Sequence, residues 1–184
     1  MQEKVKIKAN AFKNVNELAL KNEIVIYGST YMANFPFYEL SKKIKLENAI
    51  YNRSIEDLTI NEALNLLQVC VLDLSPAKIF IALGEEDYDL PDAIYNYNSI
   101  IKRIRYKLPE TEIYLICINK TDEKALLFNK NIYAQSDGKK VFSIKFNYST
   151  LSNSEQYKKR FKELCCFFRS SHITSADAFA ILSI

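Results

Sequence analysis

The sequence of 184 residues is poor in the residues that mark several specialised protein classes. It contains 3 glycines, 4 cysteines, one histidine and no tryptophan. One histidine and the lack of a Cys-x-x-C spacing argue against a zinc site. No Gly-x-Gly-x-x-Gly run follows the first predicted strand, which weakens a dinucleotide-binding role. We therefore expect neither a metal nor a cofactor, and we predict that the four cysteines are reduced thiols.

Strong charge and long apolar runs are also missing. The 25 basic and 22 acidic residues give a net charge of only +3, so no nucleic-acid partner is expected. No stretch reaches the ~18 apolar residues that a membrane span requires. Residues 1–8 lack the apolar segment of a secretory signal, and we therefore expect a cytoplasmic protein.

What the sequence does have is an alternation of short apolar runs and amphipathic segments. The apolar runs predict strands at 24–27, 48–51, 79–83, 112–118 and 141–146. Helical spacing predicts helices over 12–22, 31–44, 59–72, 91–107, 122–134, 155–168 and 175–184. Strands that are apolar on both faces and alternate with helices predict a single α/β domain over residues 1–184. We expect a flavodoxin-like, three-layer α/β/α sandwich around a five-stranded, mostly parallel sheet.

In such sheets, ligands bind beyond the carboxyl ends of the strands. Polar segments follow the first three predicted strands, and a fourth holds the single histidine near the C-terminus. They read Gly28-Ser29-Thr30, Asn52-Arg53-Ser54, Gly84-Glu85-Glu86-Asp87 and Arg169-Ser170-Ser171-His172. In order, spacing and strand context, the four segments resemble the catalytic blocks of SGNH/GDSL-type hydrolases.

The resemblance implies a role for each position. Thr30 would be the nucleophile and His172 its base. The positions that stabilise the oxyanion in the family are occupied by Thr30, Ser54 and Glu86. Other residues of the cleft would be Ser29, Asn52, Arg53, Asp87 and Arg169.

Several of these residues differ from the family pattern. Thr30 replaces serine, and its β-branch crowds the hydroxyl; a helix N-cap is its alternative role. Glu86 replaces an asparagine, and an ionised carboxylate cannot donate a hydrogen bond to an oxyanion. Arg169 replaces the aspartate that would orient His172, which could instead be a structural residue at the final helix. Glu86 and Arg169 would form an ion pair if both faced the cleft; two separate surface charges are the alternative.

Two functions follow from the resemblance. The first is a divergent protein whose ester-hydrolase chemistry is impaired or lost and whose cleft binds a ligand or partner. The second is an active, divergent esterase or acylhydrolase that uses Thr30 and His172 on an ester or acetylated carbohydrate. The expected partners are a small-molecule ester or carbohydrate, or an unidentified protein. An unrelated Rossmann-like domain with accidental matches is the third interpretation.

Overall fold

The computed structural model describes residues 1–42, 46, 48–145 and 153–169. Its centre is a five-stranded sheet in which every neighbouring pair is parallel, with the order β2-β1-β3-β4-β5. The strands are β1 (Ile24–Gly28), β2 (Ile50–Asn52), β3 (Lys78–Ala82), β4 (Glu112–Ile116) and β5 (Val141–Ile144). All residues of β1 and β4 are buried, as expected for strands that are covered on both faces.

Helices cover the two faces of this sheet. In chain order they are α1 (Glu3–Val15), α2 (Thr30–Ala33), α3 (Phe37–Ser41), α4 (Ile60–Cys70), α5 (Ala93–Lys107), α6 (Glu123–Ala134) and α7 (Asn153–Arg169). The apolar side chains of α1, α4, α5 and α6 pack into one core, and those of α2, α3 and α7 pack into the other. These three layers confirm the predicted α/β/α sandwich.

The first helix lies elsewhere than predicted. The sequence predicts a helix over 12–22, whereas α1 spans Glu3–Val15 and a short 3-10 helix covers Asn16–Leu18. Val5, Ala9 and Phe12 form the buried stripe of α1. Lysines separate these positions, so the apolar spacing is easily overlooked.

The remaining boundaries shift by a few residues. The predicted helix over 31–44 is divided into α2 and α3, and Pro36 immediately precedes the second of them. The predicted helix over 175–184 lies outside the described residues. In the part of the chain that the structure describes, no helix has the length and apolarity needed to cross a membrane.

Candidate functional site

The candidate site begins where β1 ends, beside the carboxyl end of β3. Gly28 pairs with Ala82 in the parallel register. A Cβ atom on Gly28 would lie 2.8 Å from the carbonyl oxygen of Ala82 and 2.9 Å from Cβ of Met32. Only glycine therefore allows α2 to start this close to the two strands. Ser29 occupies the N-cap position of α2 without a side-chain capping bond, and Thr30 is the first residue of the helix.

The hydroxyl of Thr30 both donates and accepts a hydrogen bond. It donates to Oε1 of Glu86 over 2.8 Å and accepts the backbone N–H of Asp57 over 3.0 Å. The hydroxyl of Ser29 also donates to Oε1 of Glu86, over 3.0 Å. Glu86 thus joins the segment after β1 to the segment after β3, as the carboxyl-edge rule predicts. We refer to Ser29, Thr30, Asp57, Glu85 and Glu86 as the Thr30 cluster.

Glu85 adds a second carboxylate to the cluster. Its Oε2 accepts the backbone N–H of Tyr31 over 3.0 Å. Burial raises the pKa of Glu85 above its ordinary value, although the Tyr31 N–H acts in the opposite direction. Glu86 remains exposed to solvent. Carboxylates therefore surround the hydroxyl that the resemblance assigns as the nucleophile.

Asp57 and Lys4 belong to this arrangement, and the sequence did not indicate either of them. Asp57 has a φ of 55°, and its carboxylate is bonded to the ammonium of Lys4 on α1. The Lys4 hydrogen bond, with its charge, lowers the pKa of Asp57 below its ordinary value. The two residues are 53 positions apart, so no local pattern could have paired them.

Asp87 turns away from the cluster and binds the next helix. Its Oδ2 accepts the backbone N–H of Ile60 over 2.8 Å at the start of α4, and its Oδ1 has no hydrogen-bond partner among the described residues. Burial raises the pKa of Asp87 to about 6. Thr59 and Glu62 complete a capping box on the same helix end. These contacts give Asp87 a structural role, in which it fixes the loop after β3 to α4.

The segment after β2 divides between two environments. The side chain of Asn52 donates to the carbonyl of Met32 over 2.8 Å and accepts the N–H of Ser54 over 3.1 Å. The backbone N–H of Ser54, which the resemblance assigns to oxyanion stabilisation, is therefore already hydrogen-bonded to Asn52. The hydroxyl of Ser54 is buried and has no partner among the described residues.

Arg53 is buried, and its side chain contacts α1 and its neighbours rather than the Thr30 cluster. Its guanidinium bonds to Oδ1 of Asn16 over 3.2 Å. It also stacks 4.9 Å from the ring centroid of Phe12 and 5.4 Å from that of Tyr51. The side chain of Arg53 therefore stabilises the packing of α1 against β2.

Arg169 lies away from the Thr30 cluster, a position that agrees with two separate surface charges rather than an ion pair with Glu86. Helix α7 runs antiparallel to the strands: Tyr157 packs 5.9 Å from Tyr31 at the carboxyl edge, measured between ring centroids. At its other end the carbonyl of Phe167 bonds to Lys78, the first residue of β3. Arg169 is therefore at the amino edge of the sheet.

The proposed base, His172, lies outside the described residues, so its role stays a prediction. No group of three or more histidine, cysteine or acidic residues suited to a metal ion occurs within the described ranges. All four cysteines are free thiols.

Comparison with solved structures identifies the fold. The chain is similar to a candidate platelet activating factor from Streptococcus pneumonia, with 20% identity, a TM-score of 0.77 and coverage of 90% of this chain and 93% of that one. A GDSL-like lipase from Bacteroides thetaiotaomicron shares 15% identity with a TM-score of 0.64, covering 95% and 92% of the two chains. The esterase EstA from Pseudoalteromonas sp. also shares 15% identity with a TM-score of 0.64, covering 80% and 98%.

No family model matches the sequence, and no curated protein matches it either. The similarity of fold extends over most of the chain, and other solved structures that share the fold are named as an acylhydrolase, a GDSL-like lipase and an esterase. The chain therefore has the SGNH/GDSL-type hydrolase fold that the four segments predicted.

Proposed function

We propose that this chain uses the cleft at the carboxyl edge of its sheet to bind a small-molecule ligand and has lost the ester hydrolysis of its fold relatives. The observation that carries the proposal is the position of Glu86, whose Oε1 accepts the hydroxyls of both Ser29 and Thr30. The cytoplasmic location that the sequence predicts is part of this proposal, and the four free thiols are compatible with it.

The hydrogen bonds of Thr30 support a positioning role for its hydroxyl. A nucleophile must transfer its proton to a base and direct a lone pair at the substrate. In this site the proton of Thr30 is directed at Glu86, and the Asp57 N–H occupies the oxygen from the other side. The hydroxyl therefore ties together the segments that follow β1, β2 and β3.

The charge around Thr30 also opposes ester attack. The tetrahedral intermediate carries a negative oxygen that needs hydrogen-bond donors, and the removal of one donor costs about 10²–10³ in rate. At this site Glu86 contributes an acceptor, and the N–H of Ser54 is bonded to Asn52. Two of the three inherited oxyanion positions are thus unsuited to that task, which supports binding rather than hydrolysis.

The test measures hydrolysis of p-nitrophenyl acetate and butyrate by the full chain and by its Thr30→Ala and His172→Ala variants. Ser99→Ala is the matched control, because it removes a hydroxyl on α5 that bonds only within its own helix. We expect all four proteins to hydrolyse the esters at one common background rate. A rate that both site variants abolish and the control retains would establish the alternative, an active esterase that uses Thr30 and His172.

A phosphonylating probe gives a second readout that does not depend on substrate choice. We expect the intact mass of the chain to be unchanged after incubation with an ethyl fluorophosphonate. A mass increase that is lost in Thr30→Ala would mean that this hydroxyl is an activated nucleophile, and the proposal would then be wrong.

A further inference from the structure

Helix α6 exposes two neighbouring leucines at the surface of the molecule. Leu126 and Leu127 are 58% and 61% exposed, whereas Ala125, Phe128 and Ile132 form the buried side of the same helix. At 3.6 residues per turn, the two leucines point away from that buried side. The helix connects β4 to β5 and contacts β5, which is an edge strand of the sheet. The two leucines are therefore accessible to a partner.

Charged side chains flank the two leucines symmetrically. Glu123 lies three residues before Leu126, and Lys130 lies three residues after Leu127. Helical spacing places all four on the exposed side of α6. Neither Glu123 nor Lys130 takes part in an ion pair within the described ranges. The face thus carries one carboxylate and one ammonium group at equal distances from an apolar centre.

This arrangement of side chains is complementary to itself. We consider two copies of α6 that pack antiparallel about a two-fold axis between Leu126 and Leu127. Residues that are equally far from the axis in opposite directions then lie beside each other. The four leucines meet at the centre, and Glu123 of each copy lies opposite Lys130 of the other. Both copies use the same patch, as an interface with two-fold symmetry requires.

The exposed face of α5 lacks this property. It presents Tyr95 and Tyr106, which are 72% and 81% exposed, together with the exposed cations Lys102 and Arg103. The helix contains no acidic residue. Two copies of α5 would therefore place cations against cations, which is unfavourable. Charge complementarity thus favours α6 over α5 as the surface that fits a second copy of this chain.

We propose that α6 forms a two-fold interface with a second copy of this chain. Leu126 and Leu127 pack against their counterparts, and two ion pairs between Glu123 and Lys130 flank them. A contact that is centred on one pair of helices is smaller than the interfaces of stable dimers. The dimer is therefore weak, with an expected Kd of about 100 µM.

Sedimentation equilibrium of the full chain from about 5 to about 500 µM, a range that spans the expected Kd, tests the association. We expect the average mass to rise from that of one chain toward that of two. Leu127→Ser should weaken the dimer by about tenfold or more, because each interface loses two apolar side chains. Leu18→Ser is the matched control and should leave association unchanged, since Leu18 is 84% exposed outside α6. The mass of one chain at every concentration would overturn the proposal.

Charge exchange tests the assigned pairing. Glu123→Lys and Lys130→Glu should each weaken the dimer by about tenfold, because each replaces two attractive pairs with two pairs of like charge. The double variant Glu123→Lys/Lys130→Glu restores both pairs in the opposite sense and should associate like the natural chain. Lys102→Glu on α5 is the control for the change in net charge and should associate normally.

Circular dichroism verifies that every variant keeps its helical content before its association is compared. A double variant that associates no more tightly than the two single variants would contradict the assigned pairing. Equal association of Lys130→Glu and Lys102→Glu would show that another face forms the contact, and the proposed interface would then be wrong.

Discussion

Two polar networks lie at opposite edges of the same strands, and they differ in how completely their charges are matched. At the amino edge, the ammonium of Lys78 donates to the carbonyl of Phe167 over 2.7 Å and lies 3.8 Å from Oε2 of Glu112. That carboxylate also accepts the hydroxyl of Tyr114 over 2.8 Å. The side chains of Lys78 and Glu112 are only 11% and 10% exposed. The network is closed, and it attaches α7 to the sheet.

The carboxyl edge is organised differently. Glu85 and Glu86 stand beside Thr30. Lys4 pairs with Asp57, and the ammonium of Lys120 donates to the backbone carbonyl of Glu85 over 2.8 Å. Ser54 and Asp87 each keep a buried oxygen without a partner among the described residues. Stability alone would favour the closed arrangement of the amino edge. The contrast is compatible with the proposed binding of a ligand at the carboxyl edge.

Lys78→Ala should have the largest effect, because it breaks the closed network. The change leaves Glu112 buried without its cation, and breaking a buried pair on one side costs about 3 kcal/mol. We expect that loss in the free energy of unfolding, measured by urea denaturation. The control is Lys102→Ala, which removes an exposed lysine of α5 and should change stability by less than about 0.5 kcal/mol. Equal stability of the two variants would show that the amino edge is not held by this pair.

Gly28→Ala tests the packing at the other edge. The added Cβ meets a backbone carbonyl and the Cβ of Met32, neither of which can rotate away. Overpacking of this kind costs about 2 kcal/mol. Thermal denaturation would measure the change. A variant as stable as the natural chain would mean that α2 does not approach β1 and β3 this closely.

The sequence predicts the sheet well because the strand signal is local. The strands β1, β3 and β4 are almost entirely buried, and they and β5 lie within two residues of their expected positions. Helix α1 was misplaced because its stripe of three buried residues is embedded among lysines. The tertiary contacts of these three residues, rather than their spacing alone, distinguish α1 from a surface segment.

The candidate site was predictable only in part. The rule that ligands bind at the carboxyl ends of parallel strands predicts that Thr30 and Glu86 lie close together, and their side chains are hydrogen-bonded. The position of Arg169 was not evident from the sequence, because α7 is 17 residues long and returns the chain across the sheet, about 25 Å along the helix axis. Asp57 and Lys4 depend on side-chain contacts between distant segments, for which one sequence holds no signal.

Asp87→Asn, measured at several pH values, tests whether the buried carboxyl group in the loop after β3 has a raised pKa. The folded pKa of Asp87 is about 6, above its ordinary value of 3.8, so the folded state binds the proton more tightly than the unfolded state does. The stabilisation from this group is complete below pH 3.8 and is lost as the pH rises through 6. At pH 7.5 the neutral amide should therefore make the chain more stable than wild type by about 1 kcal/mol or more. At pH 4 the gain should vanish, and a constant difference from pH 4 to 7.5 would contradict the raised pKa.

Thr30→Ser should have the smallest effect on stability, and it separates two explanations of the threonine. Serine keeps the oxygen that bonds to Glu86 and Asp57, so the free energy of unfolding should change by less than about 0.5 kcal/mol. If the β-branch alone blocked catalysis, the serine variant would hydrolyse p-nitrophenyl acetate, and His172→Ala in the same background would abolish the activity. We expect no hydrolysis, because the carboxylate of Glu86 still faces the position where negative charge would develop. The obstacle at the carboxyl edge would then be its charge rather than the shape of one side chain.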